Sequence, residues 1–166
     1  ALTTVNIPAV SNWTHFQFTD YQANPLSNNS GDVSLFVNSE LVTEVTYADD
    51  VTAVNPYSFA FYKKLETVTI PASVTQVGEM AFYNCSGLKT LNLYGSKFYA
   101  KRCFFSDTQL TTVNVADIAE WCSSTFENSW SIPTRYSKHI SLNGNLVTDL
   151  VVPEGVTAVA DRAFRD

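Results

Sequence analysis

Leu65–Gly87 reads LETVTIPASVTQVGEMAFYNCSG, and Val42–Lys64, immediately before it, reads VTEVTYADDVTAVNPYSFAFYKK. Laid under one another, the two 23-residue stretches place apolar residues at the same positions. Val42, Val45, Tyr47, Val51, Val54 and Phe59 fall under Leu65, Val68, Ile70, Val74, Val77 and Phe82. Leu88 opens a third copy, one residue shorter, with Leu91, Leu93 and Phe104 in the matching places. Leu110 opens a fourth with Val113 and Val115, and Val147 opens another with Leu150, Val152, Val156, Val159 and Phe164. A fixed period of 22 to 23 residues implies a repeat architecture, in which each unit is one supersecondary element that cannot bury its apolar face alone.

A longer period lies over the first. LTTVNIPAVSNW at the N-terminus returns as LTTVNVADIAEW, with Leu2, Val5, Val10 and Trp13 displaced by 108 residues onto Leu110, Val113, Ile118 and Trp121. ELVTEVTYADDVTAVNPYSF likewise returns as NLVTDLVVPEGVTAVADRAF. The chain therefore divides into a long module 1–41, short repeats 42–64, 65–87 and 88–109, a second long module 110–146 and a partial repeat 147–166. Each long module carries an insert of about 15 residues before the next strand. Asn143-Gly144 between ISL and NLV is a strong two-residue hairpin signal, because both central positions need positive φ. The first module has Asn38-Ser39 there, which predicts a less well formed turn.

In L-x-x-V-x-I the fourth and sixth residues face one side of an extended segment, since strand side chains alternate with period two. The β-branched richness of LETVTIP suits a strand, and the proline after it ends the pairing. The following V-x-x-V-x-x-x-A-F has apolar spacings of three and four and suits a return through a turn or short helix. One strand and one return make one coil of a solenoid. About seven inward apolar residues at roughly 2 kcal/mol each cannot offset the ordering of about 23 residues at about 1 to 2 kcal/mol apiece. Coils must therefore stack, adding ladder hydrogen bonds and covering both faces of each aromatic.

The pattern L-x-x-V-x-I-P-x-S-V-T-x-V-G-x-x-A-F-x-x-C, met here as LETVTIPASVTQVGEMAFYNC, resembles the BspA-type leucine-rich repeat, and NGNLVTDLVVPEGVTAVADRAF resembles that family's hairpin-bearing module. The resemblance covers nearly the whole chain. It implies an α/β-type repeat solenoid: a leucine-rich-repeat-like stack of parallel strands with turn or short-helix returns and β-hairpin inserts. It also implies a secreted or cell-surface protein of host-associated bacteria whose repeats mediate adhesion or protein binding. Departures from the pattern are local: Pro71 and Pro153 become Ala48 and Tyr94 in other copies, and Gly78 becomes Asn55 and Ala160.

Composition narrows the function classes. Ten Lys and Arg against sixteen Asp and Glu leave a net charge of −6, the wrong sign for neutralising phosphates, so nucleic acid is not expected as a partner. No apolar run approaches the roughly 18 residues a membrane span requires. The repeat runs to both termini without an apparent cap, which predicts a piece of a longer array and end-to-end association of exposed coils. Cys85, Cys103 and Cys122 sit at three different offsets in their coils with no C-x-x-C pair, which favours buried small hydrophobes over a zinc site. His15 and His139 lie in different inserts with no G-x-S-x-G motif, and no acid, base or calcium cluster recurs along the coils. No catalytic residue, metal or cofactor is expected, and a carbohydrate-active reading based on parallel β-helix lyases ranks last.

The strand positions that alternate with the core carry Glu44 and Thr46, Thr67 and Thr69, Thr90 and Asn92, Thr112 and Asn114. This is a ladder of small polar groups on one sheet face. It reads either as a broad protein-binding surface of the kind solenoids present or as exposed β-formers that keep a structural spacer soluble. Tyr99, Trp130, Phe98, Tyr21 and Tyr136 fall off the core columns, and of these Tyr99 and Trp130 complete the candidate binding set, because aromatics are enriched in recognition hot spots. The expected partner is a host or bacterial surface protein, held through weak or multivalent contacts because charge is sparse.

Overall fold

Each V-x-I or equivalent triplet forms a short strand whose neighbours are the same residues one coil away. In the computed structural model, which describes residues 2–27, 32–95, 99–104 and 109–164, the strands β4 (Glu44–Thr46), β6 (Thr67–Ile70), β8 (Thr90–Leu93) and β10 (Thr112–Val115) run parallel side by side. Phe98 lies outside the described residues. Register follows the repeat: Val45 pairs with Val68, Val68 with Leu91 and Leu91 with Val113. Beyond β10 the sheet is completed by the hairpin β12 (Ser141–Leu142) and β13 (Asn145–Leu146), the latter antiparallel.

The returns of the short coils contain the expected turns, through Pro56–Phe61 and Glu79–Asn84 for example, and short strands as well. They contain two-residue strands, β5 (Ala53–Val54), β7 (Gln76–Val77) and β9 (Tyr99–Ala100), which with β11 (Thr125–Phe126) form a second parallel sheet. Helices belong to the long modules: α1 (Val10–Thr14), α2 (Ile118–Ser123) and α3 (Thr134–Ser137). A strand return satisfies its backbone groups on the coils above and below, so the parallel ladder replaces the internal hydrogen bonds a helix would supply.

The core lies between the two sheets. Val68, Ile70, Leu91, Leu93, Val113 and Val115 enter from one side and Val54, Val77, Ala100 and Phe126 from the other, all buried. Between them runs an aromatic column in which Phe82 stacks on Phe59 at 6.1 Å and on Phe104 at 5.8 Å, each pair within 8° of parallel. The residue two before each phenylalanine, Tyr57, Met80, Arg102 and Arg162 in turn, has φ between 48° and 68°. This left-handed step turns the chain inward and presents a small buried residue (Ser58, Ala81, Cys103 or Ala163) before the ring. Cys103 is thus one member of a small-residue column, and the Cys85 thiol donates to the Phe59 carbonyl at 3.0 Å.

The first long module forms a separate sheet of β1 (Thr4–Ile7), β2 (Ser34–Val37) and β3 (Glu40–Leu41). Asn38 (φ 50°) and Ser39 (φ 68°) close its hairpin with two cross-strand pairs, as Asn143 and Gly144 close the other. The expected difference in turn quality is absent, because Ser39 adopts the left-handed conformation and the flanking pairs hold it there. Side chains fasten the long modules to the coils that follow. Trp13 Nε1 donates to Ser58 O at 2.7 Å, and its counterpart Trp121 Nε1 donates to Ala163 O at 2.9 Å. Tyr62 spans the gap between the two strand sheets, its hydroxyl donating to Val42 O at 2.6 Å and accepting from Leu35 N at 3.3 Å.

Among the described residues, the buried hydroxyls of Tyr47, Ser73 and Thr134 have no hydrogen-bond partner. Tyr47 occupies the column of Ile70, Leu93 and Val115 and makes an edge contact with Phe82, yet among the described residues its oxygen has no hydrogen-bond partner. Ser58 Oγ lies near enough to influence its titration but outside hydrogen-bonding geometry, and its own proton goes to Asn55 O at 3.0 Å. Burial pushes the phenol well above its ordinary range, so it stays neutral. Tyr47→Phe is therefore expected to raise stability by about 1 kcal/mol, because it removes an unsatisfied group without opening a cavity. Urea denaturation of both proteins measures this, and a loss instead would mean the hydroxyl is partnered.

Candidate functional site

Strand alternation places two polar columns on the outer side of the main sheet. The first runs Glu44, Thr67, Thr90, Thr112 and the second Thr46, Thr69, Asn92, Asn114, with Ser141 next in line. Glu44 and Thr46 are exposed and the other six are half-buried, so the face is a flat wall rather than a cleft. The columns are chemically unlike. Asn92 Nδ2 donates to Thr69 Oγ1 at 3.0 Å and Asn114 Nδ2 donates to Asn92 Oδ1 at 2.7 Å, so the second column is tied to itself and ends on Asn114 Oδ1, buried without a partner among the described residues. Among the described residues no side-chain hydrogen bond engages the hydroxyls of Thr67, Thr90 and Thr112. The free hydroxyl surface is thus the first column. One residue before its threonines, Glu66 and Lys89 form an exposed ion pair at 2.9 Å.

Tyr99 and Trp130 are not on this wall. Tyr99 belongs to β9 in the second sheet, opposite Gln76, and is exposed. It borders a shallow depression of about 300 Å³ whose rim includes Pro56, Gln76, Glu79 and Lys101. Lys101 Nζ meets a Glu79 carboxylate oxygen at 3.2 Å, and that contact holds the ammonium above its ordinary pKa. Trp130 lies in the 3₁₀ turn Ser129–Ser131, with the Arg102 guanidinium 5.8 Å from its ring centroid. Its carbonyl accepts from Phe104 N at 3.3 Å and Ser131 Oγ accepts from Arg102 N at 2.7 Å, so this turn caps the stacked returns. Tyr136 is half-buried against the core, and the Tyr21 ring packs against Phe61 at 5.6 Å, tilted by 38°. The ten candidate residues therefore separate into eight on the strand face and two on the return side. Sequence reasoning missed the amide ladder and the Glu79–Lys101 pair. Both follow from the repeat spacing, which places Asn92 beside Asn114 and Glu79 beside Lys101.

Among the described residues no group of three or more His, Cys, Asp or Glu is placed to hold a metal ion, and no helix is long and apolar enough to cross a membrane. Cys85, Cys103 and Cys122 are buried thiols, and burial, with the Asp117 carboxylate adding to it, pushes the Cys122 thiol above its ordinary pKa.

Parallel strands repeating every 22 to 23 residues, with side chains in register from coil to coil, define a leucine-rich-repeat solenoid. The profile of the family described as "BspA type Leucine rich repeat region" matches six copies over residues 32–146, and the chain belongs to that family. Among solved structures it is similar to a leucine-rich repeat protein from Eubacterium ventriosum, with 19% identity, a TM-score of 0.47 and 78% of this chain covered. The chain spans 44% of that protein. No curated protein matches its sequence.

Proposed function

We propose that the chain is a non-catalytic recognition or adhesion module of a secreted or cell-surface protein, binding a protein partner through the strand face. The observation that carries this reading is the first polar column. Thr67, Thr90 and Thr112 stand in register on a rigid sheet with hydroxyls unengaged by neighbouring side chains, and Glu44 adds one charge at the column's end. A partner strand or loop laid across the coils meets a regular row of donors and acceptors without displacing internal hydrogen bonds. The family's surface association supports the compartment. A spacer role is the second reading, favoured by the Thr69–Asn92–Asn114 column, whose polar groups serve one another.

The test is adherence of the fluorescently labelled chain to an epithelial monolayer and to immobilised extracellular-matrix glycoproteins, beside the Thr67→Lys/Thr90→Lys double variant. Saturable binding by the parent chain, weakened about tenfold or more in the variant, is expected, since two ammonium groups obstruct the centre of the face. Unchanged circular dichroism checks that the fold is intact. Equal binding by both chains would remove the strand face from the reading, and no saturable binding by either would leave the spacer role.

A further inference from the structure

The depression beside Tyr99 lies across three stacked short coils, on the outer side of the second sheet. Strand alternation places it there. Val54, Val77 and Ala100 enter the core, so Ala53, Gln76 and Tyr99, paired in that order, face outward. Tyr99 is 41% exposed, yet its main chain is held on both sides: its N–H donates to Thr75 O at 3.0 Å, and β11 pairs with it from the other side. Gly78 lets neighbouring returns close up, since a Cβ there would come 2.5 Å from Pro56 N and 2.7 Å from Val54 O. Three polar side chains accompany the ring. Gln76 is exposed, and among the described residues no side-chain hydrogen bond engages its amide, which offers both donors and an acceptor. Glu79 and Lys101 compensate each other at 3.2 Å, with Glu127 adding a weaker attraction on the lysine. Their contact leaves the second carboxylate oxygen and the other ammonium protons for a ligand. Asn55 also lines the depression, but its amide already donates to Thr14 O and Phe16 O, at 3.3 and 3.1 Å.

We propose that this depression is a carbohydrate-binding subsite that takes a single neutral pyranose, stacked on the Tyr99 ring and hydrogen-bonded by Gln76, Glu79 and Lys101. An aromatic face carries negative charge density, which attracts the weakly positive C–H groups on one face of a sugar ring. Sugar hydroxyls both donate and accept, so they match an amide, a carboxylate and an ammonium group set side by side. Because the carboxylate and the ammonium compensate each other, the site gives little net pull on a sulfate, a carboxylate or an amine. The main chain of β5, β7 and β9 is taken up in the parallel ladder, so no free strand edge is offered to a peptide here. A volume of about 300 Å³ stands at the lower limit for small-ligand sites and suits one ring rather than a folded segment. Glu79 is the one acid among the described residues lining the depression, and glycoside hydrolysis needs a facing pair, so the sugar is bound and not cleaved. This subsite is separate from the threonine wall, which lies on the other side of the core.

Saturation-transfer difference NMR of the 166-residue chain with the methyl glycosides of galactose, glucose, mannose and N-acetylglucosamine tests this. Transfer to the ring C–H protons of at least one glycoside is expected. Tyr99→Ala is expected to weaken that binding at least about tenfold and Tyr99→Phe by no more than about twofold, because the ring and not its hydroxyl makes the contact. Gln76→Ala is expected to weaken it about threefold or more, through the lost amide hydrogen bonds. Both positions are exposed, and unchanged circular dichroism checks that the variants fold. Raising the salt from roughly 0.05 to 0.5 M is expected to leave the affinity unchanged, since the ligand is neutral. The proposal is overturned if none of the four glycosides is saturated, if Tyr99→Ala binds like the parent, or if salt abolishes binding. Transfer confined to a proline-rich peptide or to N-acetylneuraminic acid, run beside the glycosides, would overturn it as well. The Thr67→Lys/Thr90→Lys variant is expected to bind the glycosides like the parent, and a loss there would move the sugar to the wall. Failure of this subsite leaves the strand-face reading standing, because that reading is scored on adherence of the wall variant alone.

Discussion

Phe82→Ala is expected to lower stability by about 3 to 5 kcal/mol, measured by urea denaturation. Phe82 is fully buried, sits in the middle of the aromatic column and is covered on both faces by Phe59 and Phe104. Removing the ring opens a cavity between coils whose spacing is fixed by the backbone ladders on both sides, so the neighbours cannot collapse into it. The same substitution at Phe164, which is exposed, is expected to cost about 1 kcal/mol or less in this chain, since little burial is lost. A loss below about 1 kcal/mol at Phe82 would contradict the column.

Gly87→Ala is expected to be comparably damaging, by about 3 kcal/mol, for the opposite reason. A Cβ on Gly87 would lie 2.0 Å from Lys63 O, 3.1 Å from Lys63 C and 3.2 Å from Leu65 O. These are main-chain atoms of the preceding coil and its junction, so no side-chain rotation relieves the clash. Two coils would have to part, and the ladder bonds of Lys89 N and Thr90 N to Glu66 O, at 2.9 and 3.0 Å, would weaken with them. Gly87 is therefore small so that backbones can approach. Gly144, at φ 82° with nothing within 4 Å of its Cβ position, serves conformation instead, and alanine there is expected to cost only about 1 to 2 kcal/mol. Melting curves of the two alanine variants separate the two roles.

The inward residues were legible because two signals agree at each of them. Val68, for example, is fixed both by strand alternation and by falling in line with Val45 and Leu91, and all three are buried. The second sheet was not legible, since two-residue strands such as Gln76–Val77 are too short to show alternation. Nor were the left-handed steps, which sit on Tyr57, Met80 and Arg102 where glycine or asparagine would have announced them. Stacking holds these residues in place: Tyr57 N donates to Glu79 O and Met80 N to Lys101 O. The outer face was legible as two columns but not as two different chemistries. Whether an asparagine bonds its neighbour or faces a ligand depends on what stands one coil away: Asn114 has Asn92 there and bonds it, while Thr112 has Thr90. Tyr99 and Trp130 have no face assigned by the repeat, because a position off the core columns says only where they are not.

The hairpins also have a consequence for how such a chain can change length. At β3 the parallel ladder of the first module stops and a new one begins at β4, and β13 ends the second in the same manner. The stretch from Val42 to Leu146 thus begins and finishes at chemically equivalent seams, each stitched by a tryptophan to the turn that follows it. Duplication or loss of one such 105-residue block would create no unfamiliar boundary, because the severed surfaces rejoin partners of their own kind. Genes for this architecture can therefore grow or shrink by recombination in whole blocks, and a mismatch inside a block would disturb only its nearest neighbours.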